Sequence, residues 1–251
     1  MTKPLAIKEK GSVVFGGLFQ EEVVAAFSSR QEGNMSLCYG DTALSLENRR
    51  LFLGNFNIDY RHLTCAKQAH ASNVGCVSES DKGKGALSYD TAIADTDGFI
   101  TDRKNIPLAI FTADCLSIFL FDRKNQAIGL IHAGWRSTRQ AIISKAISLM
   151  QENFGTNPDF LYVGLGPAIR SCCYRVSEEF VGFFPGGVLK KVGHYYLDLV
   201  GINKRQMFNS GVKEKSIFDS GICTSCNNEE YFSFRKESKA CGRMISAMML
   251  K

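Results

Sequence analysis

The chain has only four histidines and five prolines in 251 residues, no apolar stretch of membrane-spanning length and no dense run of lysine and arginine. Each scarcity excludes something. Without some 20 consecutive apolar residues no helix is expected to cross a bilayer. Without a basic run, a net charge of +5 spread along the chain does not make a nucleic-acid protein. No internal repeat and no proline- or serine-rich linker is visible, so one domain over residues 1–251 is expected. The nine cysteines are odd in number and irregular in spacing, a poor disulfide framework. They are expected to be free thiols in a reducing compartment. The first residues, MTKPLAIKEKGSVVF, lack an apolar segment followed by a small-residue cleavage site. A cytoplasmic protein is expected, with small-molecule substrates, no nucleic-acid or membrane partner, and a monomeric or homodimeric state.

What is present is an ordinary globular composition, 45% hydrophobic and 22% charged, in a chain long enough to bury a large core. Residues 106–114 (IPLAIFTAD), 116–122 (LSIFLFD) and 127–131 (AIGLI) are short apolar runs bounded by turn residues, which predicts buried strands. With the polar turn 123–126 they predict a hairpin-like unit over 106–131. Ile142, Ile143, Ala146, Ile147, Leu149, Met150 and Phe154 form one helical face, capped by Ser137 or Thr138 and stopped at Gly155. Further strands are expected over 160–165 and 243–250, and a helix over 198–209 ending at Gly211. Strands and helices alternate without a regular βαβ repeat. The predicted class is α+β, mixed β-sheets packed against helices.

Two of the four histidines stand in conspicuous places. His70 ends KQAH, and His132 closes a predicted strand just before Ala133-Gly134-Trp135. Cys115 sits between two apolar runs, and the predicted hairpin unit brings it toward His132. A thiolate and two neutral imidazoles suit zinc, and three protein ligands leave the open position of a catalytic site. The plainer alternatives are a hydrogen-bonded strand-end histidine and a buried cysteine acting as a small hydrophobe. No local pattern such as His-Glu-x-x-His gathers the three. Asp114 is a candidate acid/base or ligand-orienting partner, with a turn residue as the alternative. Arg136 is a candidate oxyanion contact, with a solvated helix start as the alternative. Cys223 and Cys226 form a lone Cys-x-x-Cys pair, which is expected to be ordinary thiols, and Cys172-Cys173 is expected to be packing.

The stretches KQAH (67–70), ADTDGFIT (94–101), FTADC (111–115), IHAGWRST (131–138), GPAIRSCCYRV (166–176), CT (223–224), YFSFR (231–235) and GR (242–243) run in order over most of the chain. Together they resemble the laccase-domain family once called multicopper polyphenol oxidases and now read as purine nucleoside phosphorylases, with adenosine deaminase and methylthioadenosine phosphorylase side activities. The resemblance implies an α+β fold and metal ligands at His70, Cys115 and His132. It departs at Ser117 (usually Pro), Ser137 (usually Gly), Arg175 (commonly Glu), Cys38 (usually Asn) and the shortened segment 28–33. The N-terminal departures fall where the pocket is expected, and so bear on substrate preference.

The leading expectation is therefore zinc-dependent phosphorolysis of adenosine, inosine, guanosine or methylthioadenosine, with adenosine deamination. Asp114 is the expected acid/base partner of the deamination, and Arg136 and Arg235 the anion contacts. The first rival is a copper phenol oxidase: copper (Cu2+) favours imidazole, but four histidines cannot build a multicopper cluster. The second is a metal-free cysteine hydrolase, with Cys115 as nucleophile and His132 as base. The third is a non-catalytic metal- or partner-binding domain, in which Cys38 or Cys223 would complete a closed site.

Overall fold

Two six-stranded sheets share one apolar core. The computed structural model describes residues 7–9 and 11–251; the first six positions of the expected leaderless terminus lie outside the described residues. The first sheet has the spatial order Ile7–Glu9, Ser12–Val14, Val23–Phe27, Met244–Leu250, Leu108–Thr112, Thr64–Cys65. Only its last pair is parallel. The second has the order Ile217–Asp219, Leu161–Leu165, Leu116–Asp122, Ala127–Ala133, Gly98–Thr101, Val74–Cys76, antiparallel in the middle and parallel at both edges. A small third sheet joins Arg175–Val176, His194–Leu197 and Val188–Lys191. The predicted α+β class holds.

Strand alternation sorts side chains into layers. Phe119 and Phe121 meet Leu108, Ile110, Met244 and Met248 between the sheets. Their neighbours Leu116, Ile118 and Leu120 point outward, under helices Ile142–Phe154 and Leu199–Asn209. On the outer face of the first sheet, Ala109, Ile245 and Ala247 pack with Phe52 and Leu53 of helix Thr42–Gly54. Both central strands are therefore covered on two faces. That is why they read as continuous apolar runs rather than alternating ones.

The structure corrects two expectations and adds a helix. The hairpin is only Leu116–Asp122 with Ala127–Ala133; Leu108–Thr112 belongs to the other sheet. The chain changes sheets across residues 113–115, where Asp114 adopts φ +86°. The long helix does not start at Ser137 or Thr138. A short helix, Trp135–Arg139, comes first, Ala141 turns left-handed at φ +56°, and the helix begins at Ile142. Ser137 instead takes the Gly134 N–H at 2.9 Å, closing the turn after His132. The far end is as expected: Gly155 at φ +66° returns its N–H to Gln151 at 3.0 Å. Helix Thr42–Gly54 is not foreseen, because Leu44 and Leu51 face solvent while Ser45 and Arg49 are buried, which blurs the apolar stripe. Its one clear signal is Asp41, whose carboxylate caps the Ala43 and Leu44 amides.

Phe119 is fully buried between the sheets, its ring centroid 4.9 Å from that of Phe15. Phe119→Ala is expected to lower the unfolding free energy by about 3–5 kcal/mol, read from denaturant titration against the parent chain.

Candidate metal centre

His132 is the penultimate residue of the strand Ala127–Ala133, on the face turned toward the other sheet, opposite Ser117 in register. It is 2% exposed. His70 lies in the loop after Thr64–Cys65 with φ +56°, a conformation histidine tolerates better than most side chains but that needs outside support. The support is Asp97. This carboxylate, with no exposed surface, accepts N–H groups from Ala69 at 3.2 Å, His70 at 3.0 Å and Ala71 at 2.7 Å. It also meets Nδ1 of His132 at 2.7 Å, while its own carbonyl takes the His132 N–H at 2.7 Å. One buried carboxylate thus sets the loop that carries one imidazole and the ring orientation of the other. It leaves Nε2 of His132 facing Cys115.

Cys115, half-buried at the sheet-switching bend, completes a triad. The ligand atoms of His70, Cys115 and His132 lie within 4.8 Å of one another, and the two imidazole centroids are 4.9 Å apart. These three residues could hold a metal ion. Gly134 leaves room for it: a Cβ there would stand 3.2 Å from Cys115 Sγ and from His70 Cδ2. Among the described residues no fourth histidine, cysteine or carboxylate joins the group, which leaves one side open. Burial raises the Cys115 thiol, but His132 and His70 outweigh it and bring it down to about 6. Burial opposes charge on His132, yet Cys115 and Asp97 raise it to about 9.

The structure brings the other sequence candidates to the same neighbourhood in different ways. Asp114 accepts the Thr224 hydroxyl at 2.6 Å on one oxygen and the Arg235 N–H at 2.7 Å on the other. Arg235 sends Nη1 to the Arg175 carbonyl at 2.8 Å. Arg136 is exposed and lies 4.4 Å from the Trp135 ring centroid. Tyr174, which no residue pattern singled out, has its ring centroid 5.1 Å from the Arg235 guanidinium carbon. Burial pushes its phenol well above the ordinary range; Cys115 and Asp114 add to that, and Arg235 and Arg136 oppose it. Asp97 was likewise missed as a functional residue, although the acidic ADTD before a buried strand was the available signal. Three departures from the resembled pattern also find places. Ser117 hydrogen bonds Ser246 across the sheets at 2.8 Å, Ser137 closes the turn after His132, and Cys38 lines a pocket with Tyr39, Arg49, Gln68, Phe111 and Arg243. Gln68 and Phe111 stand on the segments that lead to His70 and Cys115, and exchange two hydrogen bonds of 2.7 and 2.9 Å. Neither Arg49 nor Arg243 makes an ion pair among the described residues; both donate to backbone carbonyls. No helix among the described residues is long and apolar enough to cross a membrane.

The family model described as multi-copper polyphenol oxidoreductase laccase matches residues 22–251. The chain is 32% identical over 249 residues to the protein named purine nucleoside phosphorylase YlmD of Bacillus subtilis, covering 92% of this chain and 90% of that one. It is 27% identical to a protein named adenosine deaminase RL5 from an unknown prokaryotic organism, covering 86% of this chain and 87% of that one. The crystal structure of YlmD from Geobacillus stearothermophilus superposes with a TM-score of 0.93 at 30% identity, covering 99% of this chain and all of the other.

Two outcomes are expected. Asp97→Asn replaces an acceptor of four donors by a group that is itself half donor, and should weaken metal affinity by about 10- to 100-fold in a competition titration with a coloured chelator. In the metal-free chain at neutral pH, Cys115 is a thiolate and His132 an imidazolium. Ligation then requires only the His132 proton to leave, so zinc addition at pH 7.5 should release about one proton per ion from this pair. The number should rise as the pH falls below about 6, where the thiol also holds its proton, and should vanish above about 9. Calorimetry in buffers of different ionisation enthalpy reads it.

Proposed function

We propose that this chain, which belongs to the multi-copper polyphenol oxidoreductase laccase family, is a cytoplasmic enzyme that cleaves purine nucleosides with phosphate and binds zinc at His70, Cys115 and His132. The observation that carries the reading is the meeting, beside Cys115, of an open His/Cys/His ligand set with two arginines and a protonated tyrosine. Zinc held by two neutral imidazoles and one thiolate supplies a net positive charge at that open side. The names of the relatives support the substrate class.

In phosphorolysis a phosphate oxygen forms a bond to C1′ of the ribose, the C1′–N bond to the base breaks, and the base leaves with a proton. The reaction needs an anion held close to the sugar while positive charge develops there. Arg136 and Arg235 are the anion contacts; the Arg235 guanidinium lies 5.1 Å from the Tyr174 ring centroid, and both arginine charges act on the Tyr174 phenol. Tyr174 keeps its proton and donates a hydrogen bond. Asp114 is the proton carrier; Thr224 and the Arg235 amide each occupy one of its oxygens and so fix where it points. The pocket lined by Arg49 and Arg243 adds positive potential, since neither charge is met by an ion pair among the described residues. Adenosine deamination, in which water replaces the amino group and ammonia leaves, uses the same residues.

A cysteine hydrolase is the second reading, because Cys115, His132 and Asp97 also line up as nucleophile, base and orienting carboxylate. His70 beside the same sulfur favours the metal, since a hydrolase needs no second imidazole there. A multicopper oxidase is not favoured: His62 and His194 take no part in the triad, and it is the one histidine-bearing ligand group among the described residues.

Metal content and turnover of adenosine and inosine with phosphate, measured on the same preparation, test the proposal. Zinc in the triad and phosphate-dependent release of free base are expected, both lost in His132→Ala. Hydrolysis of a substrate by metal-free protein would move the assignment to the cysteine reading. Arg235→Ala is expected to raise the KM for phosphate by about 10- to 100-fold, the equivalent of one charge-assisted hydrogen bond.

A further inference from the structure

A second group of thiols lies outside the triad. Strands Leu161–Leu165 and Ile217–Asp219 pair in parallel, so the loops that follow them leave the sheet side by side, joined by the bridge Ala168–Cys223. One loop carries Cys172 and Cys173, the other Cys223 and Cys226. All four sulfurs lie within 4.8 Å of one another. Cys226 Sγ is 3.5 Å from Cys172 Sγ and 3.3 Å from Cys173 Sγ, too long for a disulfide, and all four thiols are free. Four sulfurs at about 2.3 Å from one ion in a tetrahedron stand about 3.8 Å apart. The cluster therefore already has nearly the span that an ion would impose.

The loop geometry points the same way. In the segment Cys223-Thr224-Ser225-Cys226 the backbone N–H of Cys226 turns back onto the Cys223 sulfur, and the N–H of Arg170 reaches the same atom from the other loop. Amides aimed at a sulfur favour its negatively charged form. Four thiolates in so small a volume repel one another, and a divalent cation removes that repulsion. Taken singly, neither the Cys-x-x-Cys pair nor the adjacent cysteines made a site in the sequence; the parallel strand pair makes them one.

We propose that Cys172, Cys173, Cys223 and Cys226 form a second metal site, a closed tetrathiolate for a thiophilic divalent cation, zinc by preference. With four protein ligands it has no open position, so its role is structural. It staples two loops that wall the first site: Thr224, between two of the ligands, holds Asp114, and Tyr174 directly follows Cys173. Arg235 fastens to the same loop through the carbonyls of Cys173 and Arg175. The site rests on sulfur geometry alone and does not depend on which reaction the triad performs.

The test counts metal in the full chain, purified with a thiol reductant, and records its cobalt(II)-substituted spectrum. The parent chain, His132→Ala, the Cys223→Ser/Cys226→Ser double variant and the Cys172→Ser/Cys173→Ser double variant are compared, with circular dichroism as the check of folding. Two zinc ions per chain are expected in the parent and one in each folded variant. Cobalt-loaded His132→Ala should keep the intense sulfur-to-cobalt charge transfer and visible bands of a four-sulfur tetrahedral site. If a cysteine pair variant fails to fold, the His132→Ala spectrum decides. Metal-free His132→Ala, or a reduced parent chain holding one ion with four additional titratable thiols, would overturn the proposal. Two ions without nucleoside turnover would uphold it while removing the proposed activity.

Discussion

The interactions of the Asp97 carboxylate hold the rest of the centre in place. A buried carboxylate is costly unless its charge is met by donors, and Asp97 has four: three consecutive amides and one imidazole. Those donors come from two segments that share no strand. The amides keep the His70 loop in a left-handed conformation it would not hold alone. The imidazole contact settles the tautomer of His132 and points its other nitrogen at Cys115. The candidate metal site at residues 70, 115 and 132 is thus organised by a residue that is none of the three.

The second constraint is the change of sheets at residues 113–115. Leu108–Thr112 lies in one sheet and Leu116–Asp122 in the other, so the bend between them sits where the two sheets meet. Cys115 is on that bend, and His132 lies near the end of the next strand of the second sheet. Around the bend the loops 166–176 and 220–235 close in, tied to it by Ile169, Thr224 and Arg235. All three hydrogen bonds end on Asp114, one on its carbonyl and two on its carboxylate. The residue next to Cys115 is therefore also the anchor of the surrounding wall. This is why the proposed proton carrier and the proposed second metal site are mechanically linked.

Much of this was legible in the residues. The apolar runs over 116–122 and 127–131, the face of Ile142, Ile143, Ala146, Ile147 and Met150, and the stop at Gly155 are local signals, and the structure realises each of them. His70, Cys115 and His132 stand out through their local settings together with the family resemblance. The errors share a cause. The run 106–114 looks like a hairpin partner of 116–122, but which sheet a strand joins depends on distant strands, here Met244–Leu250. Helix Thr42–Gly54 escaped notice because it buries Arg49 and exposes leucines. Its buried arginine is satisfied by the carbonyls of Met35 and Ala86, partners that local periodicity cannot reveal.

The sequence by itself determined the fold class and the strands and helices of the central layers, because periodicity is a property of a few neighbouring residues; with the family resemblance it also named His70, Cys115 and His132 as candidate ligands. Tertiary structure alone decided which residues support those ligands and which cysteines belong together. Asp97 meets His132 over 35 positions, Thr224 meets Asp114 over 110, and Cys173 meets Cys226 over 53. Contacts across such separations arise from strand pairing and sheet packing, whose register is set by the whole core rather than by any segment of it.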